Sequence, residues 1–262
     1  GRPGWHIECS AMIRAAFGEQ IDIHGGGRDL TFPHHENEIA QSEALTGKRF
    51  VKYWVHNGLI KVNGQKMSKS LGNSLLLGDL MDKFSPDALK FALLSNNYRN
   101  DVNITDDLFP SAEAHVARFY SLIARAESMF PDETGKEEEI DKKFDSAMED
   151  DFNAALALAD LFGYFKEVGR LLDAGDPKAR RMTNQIRETY ALLGLFKQSP
   201  AAYAEKYAKK EDIPAQVVAV AEERKTARAE KNWAKSDELR EKLKEMGYAV
   251  KDSKDGYTLT KI

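Results

Sequence analysis

Cys9, His34 and Glu38 offer a sulfur, an imidazole nitrogen and a carboxylate oxygen near the start of the chain. His34 and Glu38 stand four apart behind Pro33, a residue favoured in the first turn of a helix, and that spacing puts both on one helical face. Cys9 would reach them from the end of a preceding strand. Such a donor set suits zinc. The same residues also describe an exposed polar helix start beside a lone buried thiol, so spacing alone leaves two readings open. A second string able to do chemistry is Lys66-Met67-Ser68-Lys69-Ser70, followed by Leu71-Gly72-Asn73. Its lysines can neutralise nucleotide phosphates as charge builds on a leaving group, and its serine hydroxyls add hydrogen-bond donors.

The elements that would position these groups can be read coarsely. Ile21 to His24 predicts a strand, with Gly25, Gly26 and Gly27 as its turn. The apolar run from Trp54 to Val62, broken by Asn63-Gly64, predicts a strand and a turn leading into the lysine loop. Alternating α and β elements suit one half of a doubly wound domain, with ligands at the strand ends. Helical patterning begins near residue 75. Ser85-Pro86 reads as a cap followed by a first-turn proline. Residues 132–152 carry ten acidic against three basic side chains, a solvated surface and a poor face for RNA. Leu and Phe at helical spacing from Ala154 to Phe196 predict bundle core. Val217 to Met246 predicts two helices, and Gly247–Val250 with Tyr257–Thr260 a small hairpin.

Composition bounds the rest. The 262 residues carry a net charge of −4, with 42% hydrophobic residues and one cysteine. That length holds two or three compact units. No apolar run reaches the ~20 residues of a membrane span. One cysteine forms no internal disulfide, which fits a reducing cytoplasm. Global charge does not announce nucleic acid, so any RNA contact must use local patches.

The motifs narrow the reading. The lysine pentapeptide matches the K-M-S-K-S signature of class I aminoacyl-tRNA synthetases. Gly1 to Ser10, Asp22 to Leu30 and Phe32 to Glu38 resemble the cysteinyl-tRNA synthetase family, and the resemblance continues to the C-terminus. It implies the second half of a Rossmann-like catalytic domain (1–74), a connecting helical region (75–125), a helical bundle (126–200) and a small α+β anticodon-recognition domain (215–262). Ser85 to Lys90 resembles the Asp-Ala-Leu-Arg element of the helical domain in that family.

The implied reaction is ATP-dependent activation of cysteine to cysteinyl-adenylate, then transfer to tRNA(Cys), by a cytoplasmic monomer. Zinc would be held by Cys9, His34 and Glu38. Lys66 and Lys69 would be catalytic. Gly25, Gly26, Gly27, Asp29, Ser68 and Lys69 would bind ATP with its magnesium, and Trp5 and His24 would bind cysteine. Arg228, Asp237 and Asp252 would read the anticodon, with Arg224, Lys231 and Trp233 close by. Glu36 and His35 are expected at the surface or behind the ligands.

The sequence departs from the family in lacking both an H-I-G-H tetrad and a second cysteine. It is therefore expected to be the C-terminal portion of a longer enzyme, inactive without the missing N-terminal half of the catalytic domain. Two other readings are a non-catalytic tRNA-binding paralogue and the related cysteine:amino-sugar ligase of mycothiol synthesis.

Overall fold

Helix α1 (His6–Phe17) leads into strand β1 (Ile21–Gly27), helix α2 (Glu36–Thr46) and strand β2 (Val51–Asn57). The computed structural model describes residues 3–67, 75–207, 214–230, 232–253 and 256–261. β1 and β2 pair in parallel, from Ile21 opposite Val51 to Gly27 opposite Asn57. A parallel pair needs a crossover, and α2 supplies it. Gly25 to Gly27 therefore extend the strand and do not form the turn expected of them. Their missing side chains matter at Gly26, where an added Cβ would lie 2.9 Å from the His35 ring.

Strand β3 (Ile60–Val62) turns through Asn63-Gly64 into β4 (Gln65–Lys66) and also pairs in parallel with β5 (Val102–Ile104). Gly64 has φ +81, the left-handed conformation that favours glycine in a tight turn. The rest of the lysine loop, with Ser68 and Lys69, lies outside the described residues.

Helices α3 (Leu77–Met81) and α4 (Pro86–Leu94) follow. Ser85 caps α4, accepting the Ala88 N–H with Pro86 in the first turn. Its own N–H and hydroxyl donate to Glu113. The bundle is built from α4, α5 (Leu108–Met129), α6 (Glu139–Glu149), α7 (Ala154–Asp173), α8 (Lys178–Tyr190) and α9 (Pro200–Tyr207). Phe91, Val116, Phe119, Leu161, Phe165, Ile186 and Phe196 are among the residues of its apolar core. Residue 125, read from sequence as a division, falls inside α5.

The chain divides into two compact units, residues 1–207 and 208–262. In the second, α10 (Ala215–Ala229) packs on α11 (Trp233–Glu245), and β6 (Tyr248–Ser253) pairs antiparallel with β7 (Gly256–Lys261). Val217, Val220, Ala221, Leu239, Leu243 and Tyr248 form its core.

Candidate metal and nucleotide site

The site is assembled from α1, β1 and the start of α2. Cys9 lies within α1 and not at a strand end as its sequence context suggested. Pro33 likewise does not open a regular helix. Residues Thr31–His35 form one wide turn in which Phe32 is extended (φ −133, ψ 133), and α2 proper begins at Glu36. The wide turn still sets His34 and Glu38 side by side, with Nε2 and Oε1 2.7 Å apart.

The candidate ligand atoms of Cys9, His34 and Glu38 lie within 4.8 Å of one another. His34 and Glu38 are buried, Glu38 completely. Among the described residues Glu38 Oε1 is enclosed and accepts no hydrogen bond, although His34 Nε2 stands beside it. Burying a carboxylate oxygen with no hydrogen bond and a single imidazole beside it is costly, so the position suits a positive partner. The other oxygen, Oε2, accepts from His24 Nε2 at 2.7 Å. His34 Nδ1 lies 2.7 Å from His6 Nδ1, which leaves its Nε2 facing Glu38 and Cys9. One sulfur, one imidazole nitrogen and one carboxylate oxygen converging on a buried point fit a zinc ion. His24, His35 and Glu38 form a second trio with the same closeness. That set has no sulfur, and its Glu38 oxygen on the His24 side is already bonded. Burial first, then the Glu38 and Glu8 carboxylates, push the Cys9 thiol up from its ordinary value.

Behind the ligands sits a cluster of rings. Trp5 stacks on His34 with centroids 3.6 Å apart and planes 12° from parallel, while 54% of its surface stays exposed. His35 is buried, bonds His56 through Nδ1 at 2.7 Å and packs on Trp54. Burial first, then the neighbouring imidazoles, hold its pKa at about 4, so it is neutral near pH 7. Sequence reasoning missed His6. It precedes Cys9 by three positions in α1, so the helical spacing that paired His34 with Glu38 would also have found it.

Toward the lysine loop, Asp29 lies in a single 3-10 turn at the end of β1. Its Oδ2 accepts from Lys66 Nζ at 3.1 Å, so the structure brings together a residue assigned to ATP binding and one assigned to catalysis. In the second unit, the Arg228 guanidinium lies over the Trp233 ring, 5.6 Å from its centroid. Asp237 is exposed on α11. Arg224 is buried, at 3% exposure, and so is not presented for phosphate or base contact as its neighbourhood suggested. Lys231 and the Asp252 side chain lie outside the described residues.

Comparisons with known proteins sort these regions. Residues 1–114 match the family model for the class I (C) tRNA synthetase catalytic domain. Residues 143–197, spanning α6 to α8, match the DALR domain; Ser85–Lys90 lies outside that match and within the catalytic-domain match. Residues 210–258 match the cysteinyl-tRNA ligase anticodon binding domain. Relatives named cysteine–tRNA ligase include those of Pseudomonas paraeruginosa at 43% identity and Azotobacter vinelandii at 44%. Both alignments cover 98% of this chain and 55% of the relative. The relative from Shouchella clausii is 42% identical over 98% of this chain and 56% of its own length. The chain thus spans about half the length of the curated relatives it matches. Among solved structures, the LeuRS–tRNA–LeuAMS complex of Agrobacterium radiobacter aligns with 71% of this chain and 27% of its own, at TM-score 0.54 and 19% identity, a likeness of fold. On these matches the chain belongs to the cysteinyl-tRNA synthetase family, aligned with the C-terminal portion of its members.

Proposed function

We propose that this chain serves a cysteine–tRNA ligase, which activates cysteine with ATP and transfers it to tRNA(Cys). The observation that carries the reading is the buried trio Cys9, His34 and Glu38 with its orphaned carboxylate oxygen. Those residues would hold zinc, which when bound supplies a soft Lewis-acid site favouring a thiolate over a serine hydroxyl. Size selection in an apolar pocket reaches only about 10- to 200-fold, so a sulfur-selective site has clear value for cysteine. Trp5 and His24 would border the cysteine. His6 and His24 would orient the ligands, since each bonds the ligand side that faces away from the shared point.

Gly25, Gly26, Gly27 and Asp29 would carry the nucleotide at the end of β1. Lys66, Ser68 and Lys69 would stabilise the triphosphate with its magnesium. This arrangement belongs to the second half of a doubly wound domain, followed by a helical bundle and a small α+β domain. In that last domain Arg228, Asp237 and Asp252 would meet the anticodon. The match of residues 210–258 favours a tRNA substrate over an amino sugar.

The test is cysteine-dependent exchange of pyrophosphate into ATP. It is run with one zinc equivalent, with the chain alone and with the N-terminal portion of a relative added. Exchange that follows zinc and prefers cysteine over serine is expected once the catalytic domain is whole. Zinc-independent exchange, or none in either form, would sink the reading.

A further inference from the structure

Asp101 stands just before β5 and belongs to none of the motifs that led to the site. It is nonetheless the most heavily bonded carboxylate near the lysine hairpin. Oδ1 accepts the Leu59 N–H at 2.9 Å, at the entry to β3. The Arg28 guanidinium, at the end of β1, lies 2.9 Å from both oxygens. Lys61 Nζ, in β3, lies 2.9 Å from Oδ2. The Asp101 side chain is only 16% exposed, whereas its two cationic partners are half open to solvent. The Leu59 N–H first, then Lys61, hold its carboxyl below the usual carboxylate range.

The backbone around it leaves little freedom. The Gly58 N–H donates to Tyr98 O at 2.8 Å, and a Cβ at Gly58 would lie 2.0 Å from Asn100 O. Asn103 accepts the Gly64 N–H at the hairpin turn. Met67 N–H returns to Ile60 O at 3.1 Å.

We propose that Asp101 is a positioning residue for ATP: by joining Arg28 at the end of β1 to Leu59 and Lys61 at the start of the β3–β4 hairpin, it fixes where the lysine loop leaves the sheet. The strand end carrying Asp29 and the hairpin carrying Lys66 are joined by an ion pair that is exposed on both sides. Such a pair is worth little and is screened by salt. Asp101 gives the same two elements a second join that includes a backbone N–H, and charge-assisted bonds of that kind are shorter and stronger. When Lys66 turns to a nucleotide, the Asp29–Lys66 pair must open, and the Asp101 bridge then keeps the base of the hairpin in register. The inference rests on the ligase reading for its consequence, but not for the bridge itself.

Two measurements test it. The first is tryptic cleavage after Lys66 in the full chain, compared with Asp101→Ala and Asp101→Asn. Roughly five-fold faster cleavage is expected in both variants, and unchanged cleavage would overturn the bridge. The second is pyrophosphate exchange in whichever form of the protein supports it. Asp101→Ala should raise KM for ATP about five-fold and leave KM for cysteine as it was, because the bridge touches the lysine hairpin and not the metal trio. The Lys61→Ala, Asp101→Ala double variant should cost less than the sum of the single changes. Equal rises in both KM values would reassign Asp101 to general structure. Absence of exchange by the unaltered protein would remove the ligase reading, and the cleavage arm would still decide the bridge.

Discussion

The metal region, from Pro3 to Asn57, and the bundle, from Pro86 to Tyr207, are made on opposite plans. In the bundle the buried residues are mostly apolar and contiguous, from Ala88 through Ile123 and Leu161 to Tyr203. In the metal region the buried apolar side chains are Phe50 and Val51, alongside Ser10, His34, His35 and Glu38. Its large apolar side chains face outward: Met12, Phe17, Ile23, Phe32, Leu45 and Tyr53. One region is held by apolar burial. The other has hydrogen-bonded polar groups at its centre, around the candidate metal site, and apolar side chains on its outer faces. Apolar surface left open in this way is what a further layer of protein would cover.

Substitutions can break that contrast. Leu161→Ala or Leu172→Ala in the bundle should cost about 2–5 kcal/mol, read as a lowered denaturant midpoint at constant slope. Leu45→Ala, exposed on α2, should stay within about 0.5 kcal/mol. Similar losses at both places would erase the distinction between the two plans.

Metal removal sharpens it from the other side. Chelation should raise proteolysis within residues 5–57 while leaving the helical melting of the bundle in place, because binding energy at a metal site is folding energy for the segment that forms it. Glu38→Gln should weaken zinc binding by at least roughly 100-fold in a competition titration, and His6→Ala by about 10- to 100-fold. Loss of bundle melting together with the metal would show that the two regions fold as one.

A smaller effect comes from the caps. Ser85→Ala removes the bond to Ala88 N–H and one partner of Glu113, and should lower bundle stability by about 1–2 kcal/mol. The smallest is a pH effect on the hairpin. Asp101 is held low in the folded chain, so its contribution is present above its unfolded pKa of 3.8 and is lost as pH falls further. The protection of the Leu59 N–H, measured against its intrinsic exchange rate, should therefore fall below about pH 4, and Asp101→Asn should abolish that pH dependence.

These differences also explain what could be read from the residues. The α4 start was legible because Ser85 and Pro86 act on their own neighbours. The α10–α11 pair and the β6–β7 hairpin were legible from local periodicity and a turn. The closeness of His34 and Glu38 was legible because they carry a fixed spacing, even though the turn that delivers it is wider than a helix. Gly25–Gly27 were misread because three glycines announce a turn locally, while their strand state depends on Val55, His56 and Asn57 far along the chain. Cys9 was misplaced for a similar reason: α1 has polar and apolar residues around most of its circumference, so its period is faint. Asp101 left no trace at all, since its partners lie 40 to 73 residues away.

The stacking of Trp5 on His34 has an optical consequence. An indole lying flat on an imidazole shares excited-state density with it, and the ring's emission responds when that imidazole gains a proton or a metal. Trp54 lies deeper, stacked over His56, and Trp233 belongs to the other unit. The chain thus carries its own fluorophore on a candidate metal ligand. Emission compared between the native chain and Trp5→Phe would follow filling of the site in real time, without a label.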